Sequence, residues 1–411
     1  MLGIRIHAVG WKSCPGGASG GTLLRMDGTT TDNWMEEPYP RRSFQRVREF
    51  APSARVANDT GVVRELPVDL RDIGGTELRA ADGSATTVER QFAASHGEGL
   101  VVLKDGAIAF ERYANGMQPR TPHLCMSVTK SFTGAMLGIQ VGKGLVAMDA
   151  LVTDIAPEFA GTSLDGATVR HVIDMTAGTD FVEDYGLYDD PDADVPLIEY
   201  ERQASYRRLG AREPVGMYGH FRTYPTAYEH GAWFDYRSVL TNIAARIVEI
   251  VSGERFVDAL SHQLWEPLGM EHEADMMLDV VGDAVVDGGL SCSTRDLARF
   301  GLAYQREGGG VIPADWVRDT HHGDDDAMRC FRESPTVTAE ERLDWCMYRN
   351  AFWVLERDRV FTGSGIFGQH CWIDLDARVV VARFSSYPTA MGGDVYYETL
   401  RSFEAIAAAL A

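Results

Sequence analysis

Strand signals stand at both ends of this chain, with helical sequence between them. Toward the front, Leu100-Val101-Val102-Leu103 and Ala107-Ile108-Ala109-Phe110 flank Asp105-Gly106. Asp-Gly tolerates the positive φ angles of a type I′ turn, whose twist suits a β-hairpin. Toward the end, the runs 350–362, 368–374 and 378–386 read as strands, with a turn at Asp374–Ala377 and a closing helix from about Val395 to Leu410. The longest helical runs between them are 127–141, stopped by Gly142 and Gly144, and Leu240–Val251, stopped by Gly253. Ser293 with Asp296 fits a capping box opening another helix. Such an order predicts an antiparallel sheet closed by both chain ends around a helical insertion, an α+β class.

The expected organisation has three parts. Residues 1–60, rich in Gly, Pro, Arg and Ser, form an N-terminal arm packed on the body through Trp34, Tyr39 and Phe44. Residues 61–140 and 286–411 build the sheet domain, 141–285 a mainly helical domain, and an active site lies between the two. A net charge of −21 disfavours nucleic acid and anionic membranes as partners and leaves cationic substrates open. No run approaches the eighteen apolar residues of a membrane span. The six cysteines are scattered without metal-ligand spacing, as expected of free thiols in the cytoplasm.

Lysine is scarce: four residues against thirty-five arginines. One of the four, Lys130, follows Ser127 by three positions in Met126-Ser127-Val128-Thr129-Lys130-Ser131. On a helix that spacing puts hydroxyl and amine on one face, one turn apart. A buried lysine can lose its proton and activate a serine, which arginine cannot do. A second proton-transfer group is available in Phe234-Asp235-Tyr236-Arg237-Ser238, where Tyr236 stands at the mouth of a helix. Lysine and tyrosine titrate at about 10.4 and 10, so a shared proton can bring the pair toward neutrality for a few kcal/mol.

Other matches are set aside. Gly363-Ser364-Gly365-Ile366-Phe367-Gly368 fits the dinucleotide fingerprint, but the strand-like Gln369–Asp374 follows where a helix is required. Gly17-Ala18-Ser19-Gly20-Gly21 fits a nucleophile elbow without its strand and helix. The acidic stretch 180–194 lacks the glycine and terminal glutamate of a calcium loop and reads as a solvated loop, or as a lid attractive to an ammonium group. His321-His322 shows no ligand spacing.

Taken together and in order, these segments resemble the serine β-lactamase and penicillin-binding-protein superfamily. Within its class C-like branch, they are most similar to the 6-aminohexanoate-dimer (nylon-oligomer) hydrolase group. The resemblance runs from Asp32-Asn33-Trp34 and Phe50-Ala51-Pro52-Ser53-Ala54 through Met126–Ser131, Asp174-Met175, Glu183-Asp184-Tyr185, Phe234–Ser238 and Gly288–Cys292 to Gly365-Ile366-Phe367-Gly368-Gln369. It implies a β-lactamase/DD-peptidase-like fold and a serine hydrolase of small amides or esters, with no metal or cofactor. Ser127 would carry the acyl group, Lys130 and Tyr236 would act as general base and acid, and the N–H groups of Ser127 and Ile366 would form the oxyanion hole. Tyr185, Glu183 and Asp287 would face the substrate.

Three departures shape the expectation. Gly363-Ser364-Gly365 replaces the Lys-Thr-Gly of β-lactamases, Tyr236-Arg237-Ser238 replaces Tyr-x-Asn, and Asp287 replaces the asparagine or histidine before Gly288-Gly289. The first two remove β-lactam recognition, while Asp287 and the acidic stretch point to an amine-bearing substrate. The alternatives are a carboxylesterase with incidental amidase activity and a non-catalytic ligand-binding descendant of the fold. A homodimer is compatible with either.

Overall fold

The structure is a computed structural model and describes residues 28–185, 195–338 and 345–411. Gly17–Gly21, Cys14 and most of the acidic stretch lie outside them. In chain order the strands are β1 (Ser53–Val56), β2 (Glu77–Arg79), β3 (Ala85–Thr87), β4 (Gly97–Lys104), β5 (Ala107–Tyr113), β6 (His123–Leu124), β7 (Ala274–Met277), β8 (Leu290–Cys292), β9 (Met347–Arg349), β10 (Phe352–Glu356), β11 (Val360–Gly365), β12 (Gln369–Asp374) and β13 (Val379–Ser385). The main sheet has seven strands in the order β5-β4-β13-β12-β11-β10-β9.

Both chain ends do build this sheet. The β4–β5 hairpin turns at Asp105 (φ 53°) and Gly106 (φ 84°), as the Asp-Gly signal requires. Its first strand pairs antiparallel with the last, Val102 opposite Val381. The run 350–362, expected as one strand, is instead β10 and the start of β11, with a turn carrying Asp358 at φ 64° between them. The charged Arg357-Asp358-Arg359 prefers water to the sheet, and aspartate tolerates the left-handed conformation. Asn350 and Ala351 make the preceding turn, also at positive φ.

Two layers cover the sheet, sorted by the two-residue period of a strand. On β12, Cys371 and Ile373 face Gly301 of the helix Thr294–Gln305. His370 and Trp372 point the other way, to Phe403 of the helix Asp394–Leu410. Ser293 caps the first of these helices, accepting the Asp296 N–H at 3.1 Å. The reciprocal half of the expected box is absent: the Asp296 carboxylate accepts the N–H groups of Glu271 and His272 (2.6 and 3.1 Å), tying in a distant loop.

A smaller sheet, β1-β7-β8-β6, has strands too short to show an alternating pattern in sequence. It draws the N-terminal segment into the core, where Trp34 and Phe44 are buried and Tyr39 is half-buried. The helix Val128–Gly142 passes between β11 and the helix Ser238–Ser252. Gly134 and Gly138 leave room on it for the Asn350 carbonyl and the Trp316 indole. No helix among the described residues is long and apolar enough to cross a membrane.

Candidate active site

Ser127 caps the helix Val128–Gly142 at its N-terminal end, where unpaired N–H groups and the helix dipole favour negative charge. Met126 before it adopts φ 46°, an uncommon conformation for an unbranched side chain and one often held at functional sites. Lys130, one turn on, is 1% exposed. Its Nζ donates to Ser127 Oγ at 2.9 Å and to the Asp287 backbone oxygen at 2.7 Å. Burial pushes the lysine below its ordinary range, although the carboxylates of Asp287 and Glu183 pull the other way.

Tyr236 stands beside this pair, its ring centroid 5.2 Å from Lys130 Nζ. Trp353 stacks on the ring at 5.5 Å and Tyr348 meets it edge-on at 5.9 Å. Burial drives the phenol well above 10, reinforced by the Glu183 charge and opposed by the Ser127 and Ser238 hydroxyls. Lysine and tyrosine are thus displaced in opposite directions, the first toward a free base and the second toward a retained proton. Arg237 turns away, bonding Asp235 and the Thr179 carbonyl.

A cavity of about 30 Å³ adjoins Ser127, and Ile366, Tyr185, Glu183 and Asp287 all border it. The sequence-derived residues therefore meet in one place. Ile366 follows Gly365 at the end of β11, which packs so closely that a Cβ there would lie 3.0 Å from Ser127 N. Gly363, where a cationic side chain is missing, lies against Ser131 Oγ, with no space for one. Glu183 holds the second turn of the site together. Its carboxylate accepts the N–H and hydroxyl of Ser238, both at 2.6 Å, and the Tyr185 hydroxyl. Its contacts make it a link between Tyr185 and the tyrosine motif.

Asp287 is 5% exposed, and burial pushes its carboxyl up to about 6, moderated by Lys130 and Tyr200. Gly288 beside it has no room for a side chain because the Tyr206 hydroxyl occupies that space. Tyr200 and Glu201 of the helix Pro196–Gln203, together with Leu197 and Tyr206, also line the cavity. No motif marked these four; they follow the acidic stretch at ordinary helical spacing. Trp34 stacks on Tyr206 at 6.2 Å and donates to its carbonyl at 2.7 Å, so the N-terminal segment buttresses the cavity wall. Phe44 meets Phe367, next to Ile366, edge-on at 5.1 Å. His321 and His322 are elsewhere, hydrogen-bonded to Asp358.

Residues 85–401 match the Beta-lactamase family. The chain belongs to the beta-lactamase family. It is a serine hydrolase of that family, with the family's α+β fold. It is 32% identical over 381 residues to a 6-aminohexanoate-dimer hydrolase of Paenarthrobacter ureafaciens, covering 91% of this chain and 90% of that protein. A Bacillus anthracis structure carrying the provisional name 6-aminohexanoate-dimer hydrolase superposes with a TM-score of 0.83 at 22% identity, over 95% of this chain and 99% of the other. A family VIII carboxylesterase shares the fold more loosely, with a TM-score of 0.54 at 18% identity over 79% of this chain and 96% of the other.

Proposed function

We propose that this beta-lactamase-family hydrolase cleaves a small amide or ester through an acyl-enzyme on Ser127, with amine-bearing substrates preferred. The observation that carries the reading is the 2.9 Å contact between Ser127 Oγ and a lysine whose only other hydrogen bond among the described residues is to a backbone carbonyl. Ser127 Oγ attacks the substrate carbonyl carbon while its proton passes to Lys130. The oxyanion is met by the N–H groups of Ser127 and Ile366. Tyr236 delivers a proton to the departing nitrogen or oxygen, and water then hydrolyses the acyl-enzyme with the proton flow reversed.

The raised phenol of Tyr236 keeps its proton at neutral pH, and an amide needs such a donor because an amine leaves poorly unless it is protonated. Glu183 and Tyr185 keep the donor in register, and Asp287 faces the substrate. The same reading has the site lying between a sheet domain (61–140 and 286–411) and a mainly helical domain (141–285). It also takes the enzyme to be cytoplasmic, in keeping with the free thiols of Cys125, Cys292, Cys330, Cys346 and Cys371. Light scattering tests the homodimer expected alongside it.

The decisive test compares wild type with Ser127→Ala on nitrophenyl esters, linear ω-amino-acid amides and a chromogenic cephalosporin. Turnover of esters and amides is expected to fall by at least about 10³-fold in the variant. The cephalosporin should be a poor substrate for both proteins. Wild type that turns over no ester or amide, and takes no fluorophosphonate label, would sink the reading in favour of a non-catalytic binding protein.

A further inference from the structure

One oxygen in the cavity has nothing to bind. Asp287 Oδ1 is buried and has no hydrogen-bond partner among the described residues. Tyr200 and Lys130 act on the carboxylate as a whole, but a buried oxygen left unpaired is costly, and such an orphan is a place where a ligand is missing. The groups facing it come from every neighbouring element. Lys130, from the nucleophile helix, binds the Asp287 backbone oxygen and not its carboxylate. From the helix Pro196–Gln203 come Tyr200, whose hydroxyl accepts from Asn242 at 2.7 Å, and Glu201, already paired with Arg207. Glu183, Tyr185 and Tyr206 complete the wall. Carboxylates and phenols supply most of the polar groups of the lining, which holds no cationic side chain among the described residues.

The cavity of about 30 Å³ has room for a small polar head group such as an ammonium. We infer that Asp287 seats a substrate ammonium group, and that seating it frees Lys130 to act as base. The inference rests on the acyl-hydrolase reading above. An opposite charge nearby favours the charged form of a lysine. While Asp287 is ionised, its field strengthens the hold of Lys130 on its proton, against the larger lowering by burial. A substrate cation at Oδ1 neutralises that field, so Lys130 gives up its proton when the correct substrate is present. No covalent step is added; recognition and base activation share one carboxylate. A neutral substrate of equal shape leaves that field in place and reacts more slowly.

The experiment uses two nitrophenyl esters of equal acyl length, one ending in ammonium and one in methyl, with wild type and Asp287→Asn. Wild type is expected to favour the ammonium ester at least tenfold in kcat/KM. In Asp287→Asn that preference should drop at least tenfold, and the acid limb for the methyl ester should move to lower pH. A variant that keeps the preference, or whose acid limb stays in place, overturns the inference while leaving Ser127 chemistry standing. Failure of wild type to hydrolyse either ester overturns both. Should Asp287→Asn not fold, wild type alone decides: butylammonium is expected to inhibit competitively where 1-pentanol does not, and equal inhibition by the two overturns the inference.

Discussion

At Lys130 the surroundings set the chemistry. The side chain makes two hydrogen bonds, to a hydroxyl and to a carbonyl, and neither partner carries a charge that would fix its proton. Burial lowers its pKa, so the free-base fraction at a given pH exceeds that of an ordinary lysine, and activity should rise with pH below the usual lysine range. Lys130→Arg keeps the charge but supplies no base. It is expected to lose about 10²- to 10⁴-fold in kcat/KM. Raising the pH should not restore the loss, as a pH–rate profile of wild type and variant will show. Recovery of the arginine variant at high pH would mean that Lys130 acts only as a charge.

At the scale of elements, the site depends on close packing of the nucleophile helix. Gly134 faces the Asn350 carbonyl in the β9–β10 turn, where a Cβ would overlap the oxygen. Gly134→Ala is expected to destabilise the fold by about 1–3 kcal/mol, the usual cost of overpacking. Because the helix would have to shift, kcat/KM should also fall, measured alongside the urea midpoint. An alanine variant with wild-type midpoint would show that the turn yields freely. On the opposite side, Glu183 secures the first turn of the helix Ser238–Ser252 through Ser238, so Tyr236 is gripped from both ends of its motif. The Asp235 N–H donates to the Met175 carbonyl at 2.9 Å, which joins Asp174-Met175 to the tyrosine motif.

Across the whole molecule, buried carboxylates join segments far apart in sequence. Asp174 accepts from Arg349 and from the Asn350 N–H, both at 2.9 Å, linking the helical region to β9. Glu98 in β4 pairs with His123 at 3.4 Å and accepts from Ser386 at 2.6 Å and Gln45 at 2.6 Å. Burial alone would raise the Glu98 carboxyl, but His123 and these donors outweigh it and hold it below 4.5. Asp319 is held below its ordinary 3.8, Arg349 and Arg170 outweighing its burial. A carboxyl depressed in the folded state contributes stability above its unfolded pKa and loses it as pH falls through the folded value. The contribution of these depressed carboxyls to the urea midpoint should therefore be level toward neutrality and decline below about pH 4.5. The decline should be shallower in Glu98→Gln, and parallel curves for the two proteins would remove Glu98 from the account.

Local physics made much of this protein legible before any coordinates. Asp105-Gly106 specifies its own turn, Gly253 ends its helix at φ 73°, and Ser-x-x-Lys on a helix must put its two side chains on one face. These are properties of a few adjacent residues. What the tertiary structure alone decided depends on contacts across the chain. Tyr200, Glu201 and Tyr206 become cavity walls because the helix Pro196–Gln203 is laid against Gly288, and β1 is a strand because Met277 lies opposite Ser53. The split of 350–362 shows the same limit, since an apolar run does not say where the sheet has room for a turn. Even Lys130, scarce in composition and marked by its spacing, owes its shift toward the free base to burial by residues far away in sequence.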